Sequence, residues 1–475
     1  MPITSEHGRG TAARGEGEPL VLAIDLGTTA VKTALVTADG RVISGTRRLL
    51  KGAQAAGWWR TSLAAARRTL NGVQPERVAA LALSGRGGAT VLCDAAGRAL
   101  TPMLTGMPPA AYAPAAPARL RPIAWRSECA IADTPSLRRR VRWTLAAKDF
   151  MLLKLSGTAA TDPASGPDAL AWPAIDGACA FMSDWLPAVR LPWETAGVLR
   201  AEPAAALGLP AGLPVAIGLH DGVAAQAGAG ALRPEEGALT LGTHLVLRVV
   251  RDHAPPAARR YRFYDLWGER DGRGVYGGNA RLGGAAVSWA ARLLGSGERS
   301  LPALEGAAVA VPPGSAGPLF LPFLAGMAYP QRRPELRAAW LGLETTHSRA
   351  QLFRAVLEGT ACAVRQIAEA LAESGVAPVR LTLTGAGAGS ALWRQILADA
   401  LVRPLHTGEA PGFEECVGAA RCAWVALGRF ASLDEAVSSA LTPATATEPS
   451  ASGSAAMSEV YRRYLWAIQH GGTVS

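Results

Sequence analysis

The sequence predicts an α/β protein built from one fold used twice, with two domains meeting at a cleft. Three observations predict it. The chain has 475 residues, more than one core ordinarily organises, so two domains or two large halves are the starting expectation. Apolar, strand-like runs that end in turns alternate with helix-like stretches. A strand, a Leu-Gly-Thr turn and a second strand occur in both halves, as "IDLGTTAVKTALV" at 24–36 and "LTLGTHLVLRVV" at 239–250, the mark of a repeated unit.

The elements follow in order. The first residues, "MPITSEHGRGTAARGEGEP", have no apolar core and read as a disordered tail over 1–18. Residues 20–44 read as a strand, a tight turn at Gly27, a second strand, an Asp39–Gly40 hairpin and a third strand. "VAALALSG" at 78–85 and "LPVAIGLHD" at 213–221 read as buried strands ending in turns. The first domain is drawn as 19–235 and the second as 236–440. Within the second, 349–375 carries Leu352, Val356, Val364, Ile367 and Leu371 on one helical stripe ending at Gly375. "VRLTLTGAGAGSALWRQILADAL" then reads as a strand, a glycine-rich turn and a helix, and 441–475 as a polar linker with a short last helix.

Composition narrows the function classes. Hydrophobic residues at 49% and charged residues at 18% describe a globular chain. The uncharged run 306–330 is broken by Pro312, Pro313, Pro318, Pro322 and Pro330, so no membrane helix is expected. With no apolar leader at the start, a cytoplasmic protein is the expectation. The net charge of +10 comes almost wholly from arginine, the lysines being Lys32, Lys51, Lys148 and Lys154. Two basic clusters lie at 138–143 and 259–267, the second interleaving aromatics, but without a recognised module they do not argue for nucleic acid as a partner. The cysteines Cys93, Cys129, Cys179, Cys362, Cys416 and Cys422 have no zinc spacing and read as reduced thiols.

Two Gly-Thr turns facing each other across a cleft suit a polyphosphate, which backbone amides and hydroxyls can cradle. Asp25, at the end of a buried strand, is a hard oxygen ligand placed for a magnesium ion among phosphates; the other reading is an Asx-turn bond to Thr28. Lys32 points back at the same phosphates or is a solvated strand lysine. Asp221 stands in "VAIGLHDGVAAQAGAGAL" as a lone carboxylate among small residues, either a helix N-cap or a catalytic base. His220 beside it is a substrate contact or a packed, capping histidine.

An ordered set of segments between about 20 and 430 resembles the FGGY carbohydrate kinases. "AIDLGTTAVK" resembles that family's first phosphate motif, and "GLHDGVAAQAGAGALRPEEGALTLGTH" its catalytic aspartate followed by the second phosphate motif. "GGAAVSW", "GLETTHSRAQLFRAVLEG" and "LTGAGAGSALWRQILADALVRPL" are similar to its nucleotide-side segments. The resemblance implies two ribonuclease-H-like domains of the actin and hexokinase ATPase type, closing over ATP and Mg2+. It implies Asp25 at the metal and Gly27, Thr28, Thr29 and Lys32 at the phosphates. Gly242 and Thr243 would line the opposite wall, Gly284 and Ser288 would touch nucleotide, and Gly387 and Ala388 would face adenine or ribose. Asp221 would be the general base that activates an acceptor hydroxyl, the positional chemistry that phosphoryl transfer needs.

The acceptor side departs from that pattern. "SGRGGA" puts Arg86, Gly87 and Gly88 where polyol-gripping side chains are usual, "MLTGMPPAAYAPAAP" at 103–117 replaces a tryptophan-aspartate-arginine segment, and Gly222 follows the base. Gly218, Gly222 and Ala224 leave room for a sugar, so a wide, less polar pocket with one new cation, Arg86, is expected. Arg86 either binds an anionic acceptor or is a structural surface arginine. The leading reading is an ATP-dependent kinase of a sugar, polyol or sugar acid; the alternative is an inactive nucleotide-binding relative acting as a sensor or partner protein. The sequence leaves the acceptor and the oligomeric state, a homodimer included, open.

Overall fold

The computed structural model describes residues 17–27, 29–86, 89–105, 122–165, 184–267, 272–281, 283–295, 300–314, 317–408, 411–439 and 445–470. Thr28 and Gly87, and most of 103–117, lie outside the described residues.

The opening meander forms as its alternation requires. Strands β1 (Leu20–Leu26), β2 (Ala30–Val36) and β3 (Val42–Leu49) pair antiparallel. β4 (Val78–Gly85) joins β1 in parallel. The short strands β5 (Thr195–Val198), β6 (Pro214–Ala216) and β7 (Leu219–His220) complete a seven-stranded sheet of order β3-β2-β1-β4-β6-β5, with β7 also on β4. The single strand expected at 213–221 is thus two pieces. Gly218 interrupts it at φ +79°, where a Cβ would stand 2.0 Å from the Leu83 carbonyl oxygen, an approach open only to glycine.

The second sheet repeats this order. β8 (Glu236–Leu241) pairs antiparallel with β9 (Leu245–Asp252), which pairs antiparallel with β11 (Arg273–Ala280); β10 (Arg262–Asp265) lies at that edge. On the other side β12 (Arg380–Thr384) and β13 (Leu405–Thr407) run parallel to β8, and β14 (Thr445–Thr447) closes the edge. A three-stranded antiparallel meander followed by two parallel strands therefore occurs twice. The supposed linker contributes the edge strand β14, and the last helix runs Ala451–His470, far longer than its aromatic part, burying Met457, Val460, Tyr461 and Tyr464.

Side-chain alternation assigns each face of these sheets. Along β1, Leu20, Leu22, Ile24 and Leu26 enter one core, which includes residues of α1 (Ala55–Thr69) and α2 (Ala147–Ser156). Val21 and Ala23 face the other way, onto α7 (Glu414–Ala426). Although α7 comes late in the chain, it packs on the first sheet and against α3 (Asp221–Gly228). The α3–α7 contact is backbone to backbone: a Cβ on Gly228 would stand 2.0 Å from Glu414 O, and one on Gly418 2.0 Å from Ala224 O. The small residues after Asp221 thus serve helix packing instead of leaving space for a sugar. In the second sheet Leu239, Leu241, Leu245, Leu247 and Val249 join the core shared with α5 (Arg349–Glu373), α6 (Ala391–Leu401) and α8 (Ala451–His470), leaving Thr240, Val246, Arg248 and Val250 on the face toward the first domain.

The aromatics of 259–267 are internal. Tyr261 is 1% exposed, and Trp267 packs edge-on against Trp193 with centroids 5.2 Å apart, so neither offers a free stacking face for a base.

Candidate active site

A cleft of about 990 Å³ lies between the two sheets. From the first half it is lined by Asp25, Gly27, Thr29, Lys32, Arg86 and Asp221. From the second, Gly242, Thr243, Gly284, Ser288 and Gly387 face it. Both Gly-Thr turns thus sit at strand ends on opposite walls. In the first, Gly27 N–H donates to Ala30 O at 3.1 Å. In the second, Gly242 N–H donates to His244 O at 3.2 Å and Ala285 N–H to Thr243 O at 3.0 Å. These bonds dock the start of α4 (Gly283–Leu294) on the turn. A Cβ at Gly284 would lie 1.9 Å from Gly242 O, so only glycine lets the helix N-terminus, with its positive dipole end, approach so closely.

The alternation that buries β1 puts Asp25 on the α7 face at the strand's open end. Its register partner is Lys32, whose Nζ lies 3.7 Å from Asp25 Oδ2 and 2.6 Å from Glu415 Oε2. Lys32 is therefore not a solvated strand lysine. Burial works against its charge, but the Glu415 and Asp25 carboxylates outweigh that and raise its pKa above the ordinary value. Burial pushes the Asp25 carboxyl up to about 7; the Lys32 ammonium opposes the shift, and the Glu415 and Asp221 carboxylates add to it. Asp25 Oδ1 is buried without a hydrogen-bond partner among the described residues. Glu415, from the opposite end of the sequence, was not foreseen; its only sequence signal is the Glu414–Glu415 pair opening α7.

Asp221 is the first residue of α3, not its cap. The cap is His220, whose Nδ1 accepts from Gly222 N–H at 3.0 Å, and Asp221 Oδ1 accepts from the same N–H at 2.7 Å. Oδ2 has no partner among the described residues. Behind this turn lies a buried ion cluster: Lys148 Nζ is 2.6 Å from Asp149 Oδ1 and 3.1 Å from Asp162 Oδ1. Asp162 Oδ2 in turn accepts from His220 N–H at 3.3 Å. Burial opposes the Lys148 charge, but Asp149 and Asp162 outweigh it and raise its pKa. The cluster anchors the backbone immediately before Asp221, and sequence reading passed over it because Asp162 lies 58 positions from the His220 that it holds.

The space at Gly222 is occupied. A Cβ there would stand 2.6 Å from the Tyr264 hydroxyl and 3.1 and 3.2 Å from Nε and Nη2 of Arg248. The expected wide, weakly polar pocket beside the base is thus corrected: a phenol and a second guanidinium, both from the second domain, fill the room that glycine leaves. Arg86 does line the cleft, its N–H donating to Leu26 O at 2.9 Å.

On the nucleotide side, Gly385 takes φ +83° and opens the turn Ala386–Gly389. Gly387 faces the cleft, whereas Ala388, 1% exposed, turns into the second core, so its expected place at adenine or ribose is corrected. Phe353, Leu357 and Trp393 supply an apolar floor, of the kind a base ring favours.

The duplicated meander-plus-parallel sheets and the phosphate-type turns on facing walls define a two-domain phosphotransferase of the actin and hexokinase ATPase type. Comparisons with known proteins agree. The sequence profile of the C-terminal domain of the FGGY family of carbohydrate kinases matches residues 238–427. The chain is 27% identical over 463 residues to a xylulose kinase of Escherichia coli (strain K12), covering 88% of this chain and 92% of that one. It is 32% identical over 239 residues to a gluconokinase of Bacillus subtilis (strain 168), covering 48% of this chain and about half, 46%, of that one. A crystal structure of a xyloylose kinase from Brucella ovis superposes with a TM-score of 0.79 at 25% identity, over 95% of this chain and 99% of that one. Residues 238–427 are a C-terminal domain of the FGGY family of carbohydrate kinases, and the whole chain is similar to sugar kinases; it is an ATP-dependent phosphotransferase with an alcohol group as acceptor.

Proposed function

We propose that the chain transfers the γ-phosphoryl group of ATP to a hydroxyl of a sugar, polyol or sugar acid, with Asp221 as the general base. The observation that carries this reading is the placing of Asp221. One carboxylate oxygen is held by the Gly222 N–H while the other is unpartnered, and the residue lines a cleft whose far wall is the Thr243 turn and the α4 N-terminus. A base so placed accepts the acceptor proton as the hydroxyl oxygen bonds to phosphorus. Gly27, Thr28, Thr29 and Lys32 on one side and Gly242, Thr243 and Gly284 on the other hold the phosphates; Ser288 and Gly387 border the nucleoside. His220 works as the cap that orients Asp221.

Mg2+ fits the chain at Asp25, whose buried Oδ1 lacks a partner among the described residues. Among the described residues no group of three or more His, Cys, Asp or Glu side chains gathers to hold a metal, which matches an ion carried mainly by phosphate oxygens. Bound there, Mg2+ would neutralise charge on the phosphates. No helix among the described residues is long and apolar enough to cross a membrane, and we place the protein in the cytoplasm.

Arg86, in the cleft with no ion-pair partner among the described residues, supports an acceptor that carries an anionic group, with Gly87 beside it in sequence. An ADP-release screen across ketoses, polyols, sugar acids and amino sugars tests the reading. It predicts turnover with at least one acceptor and its loss in Asp221→Asn; ADP release independent of any acceptor contradicts it.

A further inference from the structure

Arg248 and Tyr264 are used by nothing described so far. Along β9, Val246 and Arg248 share the face turned to the first domain, and Val246 lines the cleft. Arg248 Nη1 donates to Thr240 Oγ1 at 3.0 Å, itself a cleft residue, and Thr384 Oγ1 bonds the same oxygen at 3.0 Å. The rest of the guanidinium abuts Gly222, next to the base. No carboxylate pairs with it: the described ion pairs of the chain do not include Arg248. The Arg248 guanidinium is half-buried and has no carboxylate partner among the described residues, so an anion from outside the chain would complete its pairing. Tyr264 makes the same point. Its hydroxyl is buried and lacks a hydrogen-bond partner of good geometry among the described residues, and its ring leans on His220 with centroids 5.2 Å apart. Burial pushes the phenol up to about 12, against the pull of Arg248, so it remains a donor at neutral pH.

We propose that Arg248 and Tyr264 are specificity-determining residues of the acceptor site and that they select a sugar acid by its carboxylate. The proposal rests on Asp221 being the base of a sugar-phosphorylating site. A planar carboxylate matches the guanidinium fork and has lone pairs left for the phenol hydroxyl. Gly222 is the residue that permits it, because any side chain there displaces both groups. Arg86 supplies a second cation on the opposite, first-domain side of the cleft, so the acid end is drawn between the two domains.

The test pairs each of a panel of aldonates and uronates with its neutral alditol or aldose, and adds sugar phosphates, using the full chain and Mg-ATP. The best acid is expected to exceed its neutral counterpart by about tenfold or more in kcat/KM. Arg248→Met should raise KM for that acid about tenfold, with a smaller change in kcat, and bring the acid-to-neutral ratio toward one. Tyr264→Phe should raise the same KM about threefold. If Arg248→Met does not fold by circular dichroism, Arg248→Lys, which keeps the charge and loses the fork, is read in its place. Preference for a neutral sugar or a sugar phosphate, or an acid-to-neutral ratio unchanged in the folded variant, overturns the proposal. Failure of the underlying reading looks different: no member of the panel, charged or neutral, is phosphorylated.

Discussion

Asp25 and Lys32 face each other across the first hairpin, Nζ 3.7 Å from Oδ2, and Glu415 of a helix 383 positions further on holds the same ammonium at 2.6 Å. The buried carboxyl, pushed up to about 7, predicts that nucleotide binding depends on pH. Below that value Asp25 would be neutral and would offer a bound metal no charge. Mg-ATP affinity measured by calorimetry from pH 5.5 to 8.5 should rise with pH by up to about tenfold per unit and level off above about 7. Asp25→Asn should flatten the profile and weaken the magnesium requirement. A flat wild-type profile would show that Asp25 only holds its turn.

The same shift predicts how stability depends on pH. Asp25 and Glu414, the latter also raised to about 7, chiefly by burial and then by Glu415, start from ordinary values of 3.8 and 4.5. Across that window the folded chain binds more protons than the unfolded one, so their contribution to stability falls as pH rises from about 4 to about 7 and is constant above. Urea midpoints of the nucleotide-free protein at pH 5, 6, 7 and 8 check this. The decline should be shallower in Glu414→Gln and in Asp25→Asn than in wild type; a parallel decline in both contradicts the assignment.

Asp221→Asn keeps shape and loses the proton acceptor. Turnover should drop by about 10² or more while Mg-ATP binds nearly as before. Near-normal turnover would reduce Asp221 to a first-turn helix residue.

The Lys148 cluster should be among the most sensitive points of the first domain. Lys148→Met leaves Asp149 and Asp162 buried without their cation, a loss of about 3–5 kcal/mol in unfolding free energy. Asp162→Asn keeps volume and should act more on turnover, by loosening the His220 N–H that it holds at 3.3 Å. A Lys148→Met variant as stable as wild type would mean that the cluster is not a net anchor.

The two sheets line opposite walls of the cleft, so closure about the 230–240 segment is expected when both substrates bind. Solution scattering with Mg-ATP plus a turned-over acceptor analogue should show a smaller radius of gyration than the ligand-free protein. Identical profiles at saturation would speak against a closing cleft.

Much of this molecule was legible before folding. Apolar, strand-like runs ending in turns identified β1, β2, β4, β8 and β9, because strands buried on both faces have little freedom in composition. The paired Gly-Thr turns marked the phosphate walls, since a tight turn at a strand end is a local property of a few residues. The 349–375 stripe ended within two residues of α5, its Ser348–Gln351 capping box being equally local.

What the linear chain determined by itself is therefore the repeated unit, the turns and the lone Asp221, all set by residues within a few positions of one another. The tertiary structure alone decided which charges meet. It brought Glu415 to Lys32, Asp162 to His220, and Arg248 with Tyr264 to Gly222, in each case by packing elements distant in sequence. The last of these reversed the expected acceptor pocket. A glycine in sequence marks only a missing side chain, and whether the space becomes a cavity or is taken by a neighbour is settled by what the opposing domain presents to it.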